Sequence, residues 1–418
     1  MDTSIVAATT NPKGKYFALA VCWLLGIGCL LAWNSMLTIV DYYAYLFPRY
    51  HPSNIITIIY QSFAIGALSV LVYKEARLNT RRRNLVGYSL FSLGSLAVLV
   101  LDLATSGRGG IGSFIGVCVI SAAFGLGEAH VLGGMIGDLS MMTPKFLQSF
   151  LAGLAASGAL TSGLRLVTKA AFKNSRDGLR KGATLFFVVS ASFELVCVLL
   201  YAYVFPRIPI VKYYRGEAIL QGAITVAADL AAGGGTQVAP TNQDVEAPRY
   251  VRLLNKRDLM LLYSDLAVTL FSVYVLTFSI FPGFLSEDTG NHSLGDWYAL
   301  VLIAVFNVSD LVGRYVPVVK KLKMKSRRGL LITSLGRLLL IPAFNIAGIY
   351  GSQGWMIFLM SVLGLSNGYL TVCVITSAPY DLLAPEQNAL GNLLVFFISG
   401  GMFVGVACDW LWLIGKDW

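Results

Sequence analysis

Apolar residues recur along this chain in long blocks, separated by short polar or glycine-containing breaks. A helix that crosses a bilayer needs roughly 20 predominantly apolar residues. The blocks predict eleven transmembrane helices, at about 17–39, 54–73, 85–105, 112–136, 146–168, 184–205, 259–281, 297–319, 329–350, 354–378 and 389–414. Helices are the expected solution because lipid offers no water to unpaired backbone groups, and a strand barrel would leave only weak alternation. The first block is too long for the apolar core of a signal peptide. No clear small-residue cleavage site follows it before the aromatic cluster Tyr42, Tyr43 and Tyr45.

Composition turns this pattern into an exclusion. Hydrophobic residues are 56% and charged ones 13% of the 418, with mean hydropathy +0.68. A soluble domain has about 45–50% and about 25%, so a soluble enzyme is excluded. The fold class expected is an all-α membrane protein. The six cysteines (Cys22, Cys29, Cys118, Cys197, Cys373 and Cys408) all lie in apolar blocks and none forms a CxxC pair. They read as small hydrophobes, neither a disulfide frame nor a metal site.

The net charge of +10 is unevenly placed, which favours a membrane surface over nucleic acid as its partner. One set of loops holds Lys74, Arg77, Arg81, Arg82 and Arg83, then Lys320, Lys321, Lys323, Lys325, Arg327 and Arg328. Lys13, Lys15 and the long stretch 206–257 share that side. The positive-inside rule makes it cytoplasmic, with the N-terminus inside and, after an odd number of crossings, the C-terminus outside. One loop votes the other way, carrying Lys169, Lys173, Arg176, Arg180 and Lys181. The sequon Asn291-His292-Ser293, in an acidic loop, agrees with the majority.

Residues 206–257 are the one long polar stretch, with Ala-Ala-Gly-Gly-Gly at 231–235. Such a composition resists a packed core and reads as a largely disordered cytoplasmic linker. The expected organisation is a six-helix bundle over 1–205, the linker over 206–257 and a five-helix bundle over 258–418. Two helical halves joined by a long loop suit a transporter that rocks one half against the other. No convincing repeat relates the halves.

Ionisable groups inside apolar blocks are costly, about 2.5–3.5 kcal/mol each at the bilayer centre, and so face the bundle interior or a wet cavity. The candidates are Glu128 and His130, Arg165, Glu194, Asp265, Asp310 with Arg314, and Arg337. Asn307, Asp310 and Arg314 follow one another at i, i+3 and i+7, a single polar stripe. An acid that accepts and a guanidinium that donates in a fixed fork suit a ligand rich in hydroxyl and carbonyl groups. The competing reading is an ion pair that locks two helices, since the two lie four residues apart. Trp33 beside Asn34 could stack on a planar ring, or serve plain helix packing. Gly133 and Gly137 make a close-packing step. Arg337, ahead of Pro342, is expected to hold a structural charge network with acids of the same half, Asp310 or Asp265. Ser366-Asn367-Gly368-Tyr369 is a polar interruption suited to a bend or a cavity lining. There is no GxxxxGK[ST] loop, no GxSxG or HExxH motif and no potassium-filter motif, and the histidines number three. Neither enzymatic chemistry, a cofactor nor a metal is expected.

Taken together, these signatures resemble the equilibrative nucleoside transporter family, its plant branch in particular. The resemblance covers nearly the whole chain. It rests on Gly26-x-Gly28 with Leu31-Ala32-Trp33-Asn34, on Phe306-Asn307 with Asp310, Gly313 and Arg314, on Arg337 with Pro342, and on Asn367-Gly368-Tyr369-Leu370. Gly133-Gly134-Met135-Ile136-Gly137-Asp138-Leu139 has the look of the plant branch. The resemblance implies a major-facilitator-like fold of six plus five helices that moves nucleosides such as adenosine and uridine by alternating access, either passively or with protons. It implies that Trp33 and Asn34 lie near the base, that Leu37 lines the pocket and that Asp310 and Arg314, with Asn307, hold the ribose. Relatives carry a glutamine in the fourth helix where this chain has Leu132, which shifts base recognition elsewhere, to Glu128 or His130. Glu128 and Asp310 are the candidate proton carriers.

An alternative on the same fold is a carrier of sugars or other polyhydroxy solutes, since hydroxyl recognition does not demand a base. A receptor or scaffold would gain little from so many costly buried charges. The expected location is the plasma membrane, with the vacuolar membrane as the alternative. The expected partners are a small nucleoside, protons as co-substrate and the lipid bilayer, with no nucleic acid.

Overall fold

The computed structural model describes residues 14–74, 79–172, 177–232, 254–281, 293–350, 353–377 and 382–409. Lys13, Arg77, Lys173, Arg176, Asn291, His292, residues 233–253 and the chain beyond 409 lie outside them. In chain order the helices are α1 (Lys15–Thr38), α2 (Val40–Leu46), α3 (Pro52–Tyr73), α4 (Thr80–Thr105), α5 (Ile111–Ser140), α6 (Pro144–Phe172), α7 (Gly178–Leu199) and α8 (Pro209–Ala232). They continue with α9 (Lys256–Leu262), α10 (Ser264–Phe278), α11 (Tyr298–Tyr315), α12 (Arg327–Gly336), α13 (Leu340–Ile349), α14 (Gln353–Ile375) and α15 (Ala384–Asp409). Among the described residues ten helical spans are long and apolar enough to cross a membrane, and the bent pair α9–α10, counted as one span, makes an eleventh. Their outward surface is apolar: Leu93, Val119, Ile332 and Leu339 are 64, 63, 70 and 75% exposed. Such a surface is stable against lipid, not water.

Local chemistry sets where the helices start, bend and restart. Asn79 caps α4 by accepting from Arg82 N (3.1 Å), and Ser326 caps α12 by accepting from Gly329 N (3.2 Å). α7 runs on through a π turn at Leu200–Val204 and a 3-10 turn at Phe205–Arg207. Pro206 has no N–H for the Ala202 carbonyl, and Arg81 Nη2 donates to that carbonyl instead (3.2 Å). A 3-10 turn at Arg337–Leu339 separates α12 from α13. Restarting the helix there puts Pro342 in a first turn, where a missing N–H leaves no bond unmade. α9 and α10 meet at 72° at Tyr263. Arg327 supports that bend: its Nη2 donates to the Leu262 carbonyl (2.6 Å), it pairs with Asp265, and its guanidinium lies 5.0 Å from the Tyr263 ring centre.

The spans form the two bundles expected. In the first half α1 lies along α6, α3 and α4 along α5, and α4 along α7. In the second half α11 lies along α14, and α10 along α15 and α12. The halves meet where α6 packs on α11 and where α15 packs on α5 and α3. The α6–α11 seam carries polar rungs along its length: Lys169 Nζ over the Trp297 ring at 5.5 Å, Asn307 Nδ2 donating to Ser162 Oγ (2.8 Å), and Arg314 Nη1 donating to the Leu151 carbonyl (2.6 Å).

The stretch expected to be a disordered linker starts otherwise. Residues 209–232 are the helix α8, tied to the bundle by Arg215, whose Nη2 and Nε donate to the two oxygens of Asp138 in α5 (2.5 and 3.3 Å). Ile208, Ile210 and Val211 are buried in the main core. Past the undescribed residues the chain returns at Leu254, whose N–H donates to Glu386 Oε1 at the start of α15 (2.7 Å). Charge at the opposite end is offset locally. Arg180 Nε donates to Asp102 Oδ2 (3.3 Å), and Arg165, expected inside the span, pairs with Asp41.

Candidate functional site

A cavity lies between the halves, walled by α1, α3, α5 and α6 on one side and α10, α11, α14 and α15 on the other. All eight residues proposed from the sequence as substrate-binding line it: Trp33, Asn34, Leu37, Glu128, Leu132, Asn307, Asp310 and Arg314.

The second half supplies a hydrogen-bonded chain of polar groups. Arg314 Nε donates to Asp310 Oδ2 (3.1 Å), and Asn367 Nδ2 donates to Asp310 Oδ1 (2.7 Å). Thr277 Oγ1 donates to Asn367 Oδ1 (3.0 Å) and accepts from Arg337 Nη2 (3.0 Å). Asp310, Arg314, Arg337 and Asn367 are each 4–5% exposed, so every charge is held by partners and not by water. Each Asp310 oxygen retains a lone-pair direction for a hydroxyl, and Arg314 Nη2 is committed to no hydrogen bond among the described residues.

The stripe reaches the cavity because α11 and α14 approach closely enough for backbone contact. A Cβ on Gly368 would meet the Asp310 carbonyl oxygen, and one on Gly364 would meet that of Phe306. Glycine at these positions therefore sets the helix separation that puts Asn367 against Asp310.

The first half supplies aromatic and less fully bonded groups. Trp33 stacks on Tyr60 with ring centres 3.7 Å apart and planes 14° apart, so one indole face is already covered. Asn34 Nδ2 donates to Ser157 Oγ (2.6 Å), which orients its amide along the α1–α6 contact. Glu128 is 3% exposed and its Oε2 has no hydrogen-bond partner among the described residues.

Two expectations change. His130 is not at the cavity; its Nδ1 lies 2.7 Å from the Leu126 carbonyl on its own helix, and the ring is half-buried on another face of α5. Asp265 does not share a network with Arg337, because it pairs with Arg327 beside the α9–α10 bend. Arg337 reaches Asp310 only through Thr277 and Asn367, and its remaining bonds go to the Val273 and Leu363 carbonyls (3.1 and 3.2 Å). Gly133 and Gly137 serve close packing as expected: an added Cβ would meet the Arg83 guanidinium and the Asn388 amide, and the Gly137 backbone lies against Gly391 of α15. Arg83 itself is buried, donating to Asn392 Oδ1 across the seam (2.8 Å) and to the Ala129 carbonyl (3.0 Å).

Sequence reasoning missed Tyr60, Gln61, Tyr274 and Thr277, which also line the cavity. Gln61 had a signal, as the amide in the middle of an otherwise mostly apolar span. The other three are of types common in packed helices and carried none.

Two helical halves enclosing a central cavity, with an acid and a guanidinium on its wall, define a multi-pass membrane carrier. Solved structures agree on the fold. A major facilitator superfamily proton:xylose symporter bound to 6-bromo-6-deoxy-D-glucose aligns with TM-score 0.66 at 12% identity, covering 97% of this chain and 90% of that one. A D-xylose–proton symporter aligns with TM-score 0.57 at 13% identity, covering 96% and 91%. The profile of the nucleoside transporter family matches residues 114–414. From Arabidopsis thaliana, equilibrative nucleotide transporter 2 is 88% identical over 418 residues, the full length of both chains. Equilibrative nucleotide transporter 3 is 59% identical over 97% of this chain and 96% of its own length. The chain belongs to the nucleoside transporter family.

Proposed function

We propose that this chain carries nucleosides, purine and pyrimidine alike, across a membrane by exposing the cavity alternately to its two sides. The observation that carries the reading is the position of Asp310 and Arg314. They are buried, fully braced, and still on the wall of a cavity between two halves. A pair serving only to lock two helices would have no need of that wall. In this reading the free lone pairs of Asp310 and the uncommitted Arg314 Nη2 take the ribose hydroxyls. Trp33 and Leu37 pack against the flat, apolar part of the ligand. Asn367, Thr277 and Arg337 hold the acid in place from behind.

Binding and movement share groups. Arg314 Nη1 and Asn307 are at once cavity-lining and part of the seam between the halves. Rocking the halves apart along α6–α11 breaks these bonds, and a bound nucleoside offers replacements. Glu128 is the proton carrier we favour, because it is a buried carboxyl on a side chain that lines the cavity. The lysine- and arginine-rich end faces the cytosol with the N-terminus, leaving the C-terminus outside. The membrane we favour is the plasma membrane, which a fluorescent fusion would distinguish from the vacuolar one.

The test is uptake of labelled adenosine and uridine by purified protein in liposomes, with and without a pH gradient. Saturable uptake of both is expected, with competition by unlabelled nucleosides and none by glucose. Competition by glucose with no nucleoside uptake would replace this reading by a polyhydroxy-solute carrier.

A further inference from the structure

We propose that Gln61, seconded by Glu128, is the edge reader of this cavity: a hydrogen-bonding patch in the first half that recognises the in-plane donors and acceptors of a nucleobase. The inference rests on the nucleoside reading above and specifies which atoms distinguish the base.

The second half's polar groups are already joined to one another. In the first half Asn34 is bonded to Ser157, but Gln61 and Glu128 each keep an oxygen without a hydrogen-bond partner among the described residues. Gln61 is 1% exposed, lines the cavity from α3, and its Oε1 has no hydrogen-bond partner among the described residues. The contact of its Nε2 is with Met402 Sδ at 4.0 Å, a weak acceptor at long range. On α5, which packs along α3, Glu128 lines the same cavity, and its buried Oε2 has no hydrogen-bond partner among the described residues. A buried amide carbonyl left without a partner is costly, and native proteins rarely keep one for nothing. Gln61 Oε1 and Glu128 Oε2 are two such buried oxygens, in side chains that line one cavity.

The chemistry of the patch fits a base better than a sugar. A primary amide carries an acceptor and donors in one plane, which is how glutamine meets the paired ring nitrogen and exocyclic amino group of adenine. A carboxylate accepts from the exocyclic amino group of cytosine in the same manner. Tyr60, next in sequence to Gln61, lies flat against Trp33, so an aromatic plate adjoins the polar edge. The hydroxyl-binding groups, Asp310 and Arg314, stand on the other half. A nucleoside spanning the cavity thus meets a sugar-binding wall and a base-binding wall, each from a different half.

The experiment compares adenosine with purine riboside, which lacks the exocyclic amino group, with 7-deazaadenosine, which lacks one ring acceptor, and with 3′-deoxyadenosine, all in proteoliposomes. In the unmodified protein at least one of the two base analogues should lose roughly tenfold in uptake efficiency relative to adenosine, the effect of one unmade neutral hydrogen bond in a buried site. In Gln61→Met, similar in size but without the amide, that difference should shrink to within twofold. The loss with 3′-deoxyadenosine should be the same in both proteins. Gln61→Asn keeps the amide but withdraws it by one methylene, and should fall between. Equal discrimination in Gln61→Met and the unmodified protein overturns the inference. So does an unmodified protein that takes adenosine and both base analogues equally, a result that needs no variant to fold. An unmodified protein that moves no nucleoside overturns instead the function on which the inference rests.

Discussion

Replacing Arg314 by alanine removes two hydrogen bonds and strands an acid. Its Nε bond to Asp310 (3.1 Å) and its Nη1 bond to the Leu151 carbonyl (2.6 Å) are both lost. Bonds to charged groups are worth about 1.5–3 kcal/mol each, and breaking a buried pair from one side costs roughly 3–5 kcal/mol. Asp310 keeps Asn367 as a partner, which places the effect toward the lower end. About 3 kcal/mol corresponds to roughly a hundredfold in uptake efficiency if the lost bonds act on the loaded carrier. The assay is initial uptake of labelled adenosine into liposomes, beside melting of the purified protein in detergent. Arg314→Ala should lose uptake by that factor or more. The paired variant Asp310→Asn with Arg314→Gln removes both charges while keeping side chains of similar volume. It should melt near the unmodified protein and still fail to carry. If the neutral pair restores uptake to within about threefold, the two residues only fasten helices and the recognition argument fails.

Three further outcomes follow from the same geometry. Glu128→Gln keeps the shape of the side chain but cannot exchange a proton, so any acceleration of uptake by an inward proton gradient should vanish while uptake without a gradient persists; an unchanged gradient response in this variant would exclude Glu128. Gly368→Ala directs a methyl at the Asp310 carbonyl and forces α11 from α14, which should lower the detergent melting temperature by the equivalent of about 1–3 kcal/mol. Asp138→Ala releases Arg215 and with it α8, so trypsin should cut within 209–232 faster, with adenosine uptake changed less than by Arg314→Ala.

The parts of this molecule legible in the sequence are those where lipid makes a polar group conspicuous. Asp310, Arg314 and Asn307 stand out because an apolar span offers few reasons for charge, and their i, i+3, i+7 spacing already aligns them. Partnership is harder to read. Arg337 and Asp265 both look like members of one network, but the spacing along the chain carries no information on the α9–α10 bend, which turns Asp265 to Arg327. His130 sits two residues from Glu128, and two residues on a helix is about 200° of rotation, enough to place the ring on another face. The helix over 209–232 was hidden by averaging its content with the glycine-rich stretch that follows. Gln61 was overlooked because a single amide is cheap enough in a helix bundle to pass as packing. What sets it apart is an oxygen with no partner among the described residues, a property that only the three-dimensional structure reveals.

The seam between α6 and α11 has a kinetic corollary. Its rungs at Arg314 and Asn307 belong to the same side chains that line the cavity. If transport proceeds by rocking, an unloaded molecule must break those cross-links with nothing in exchange, whereas one with cargo aboard trades one set of bonds for another. The return journey is then the slower stroke, and a supply of solute waiting on the far side would quicken the cycle.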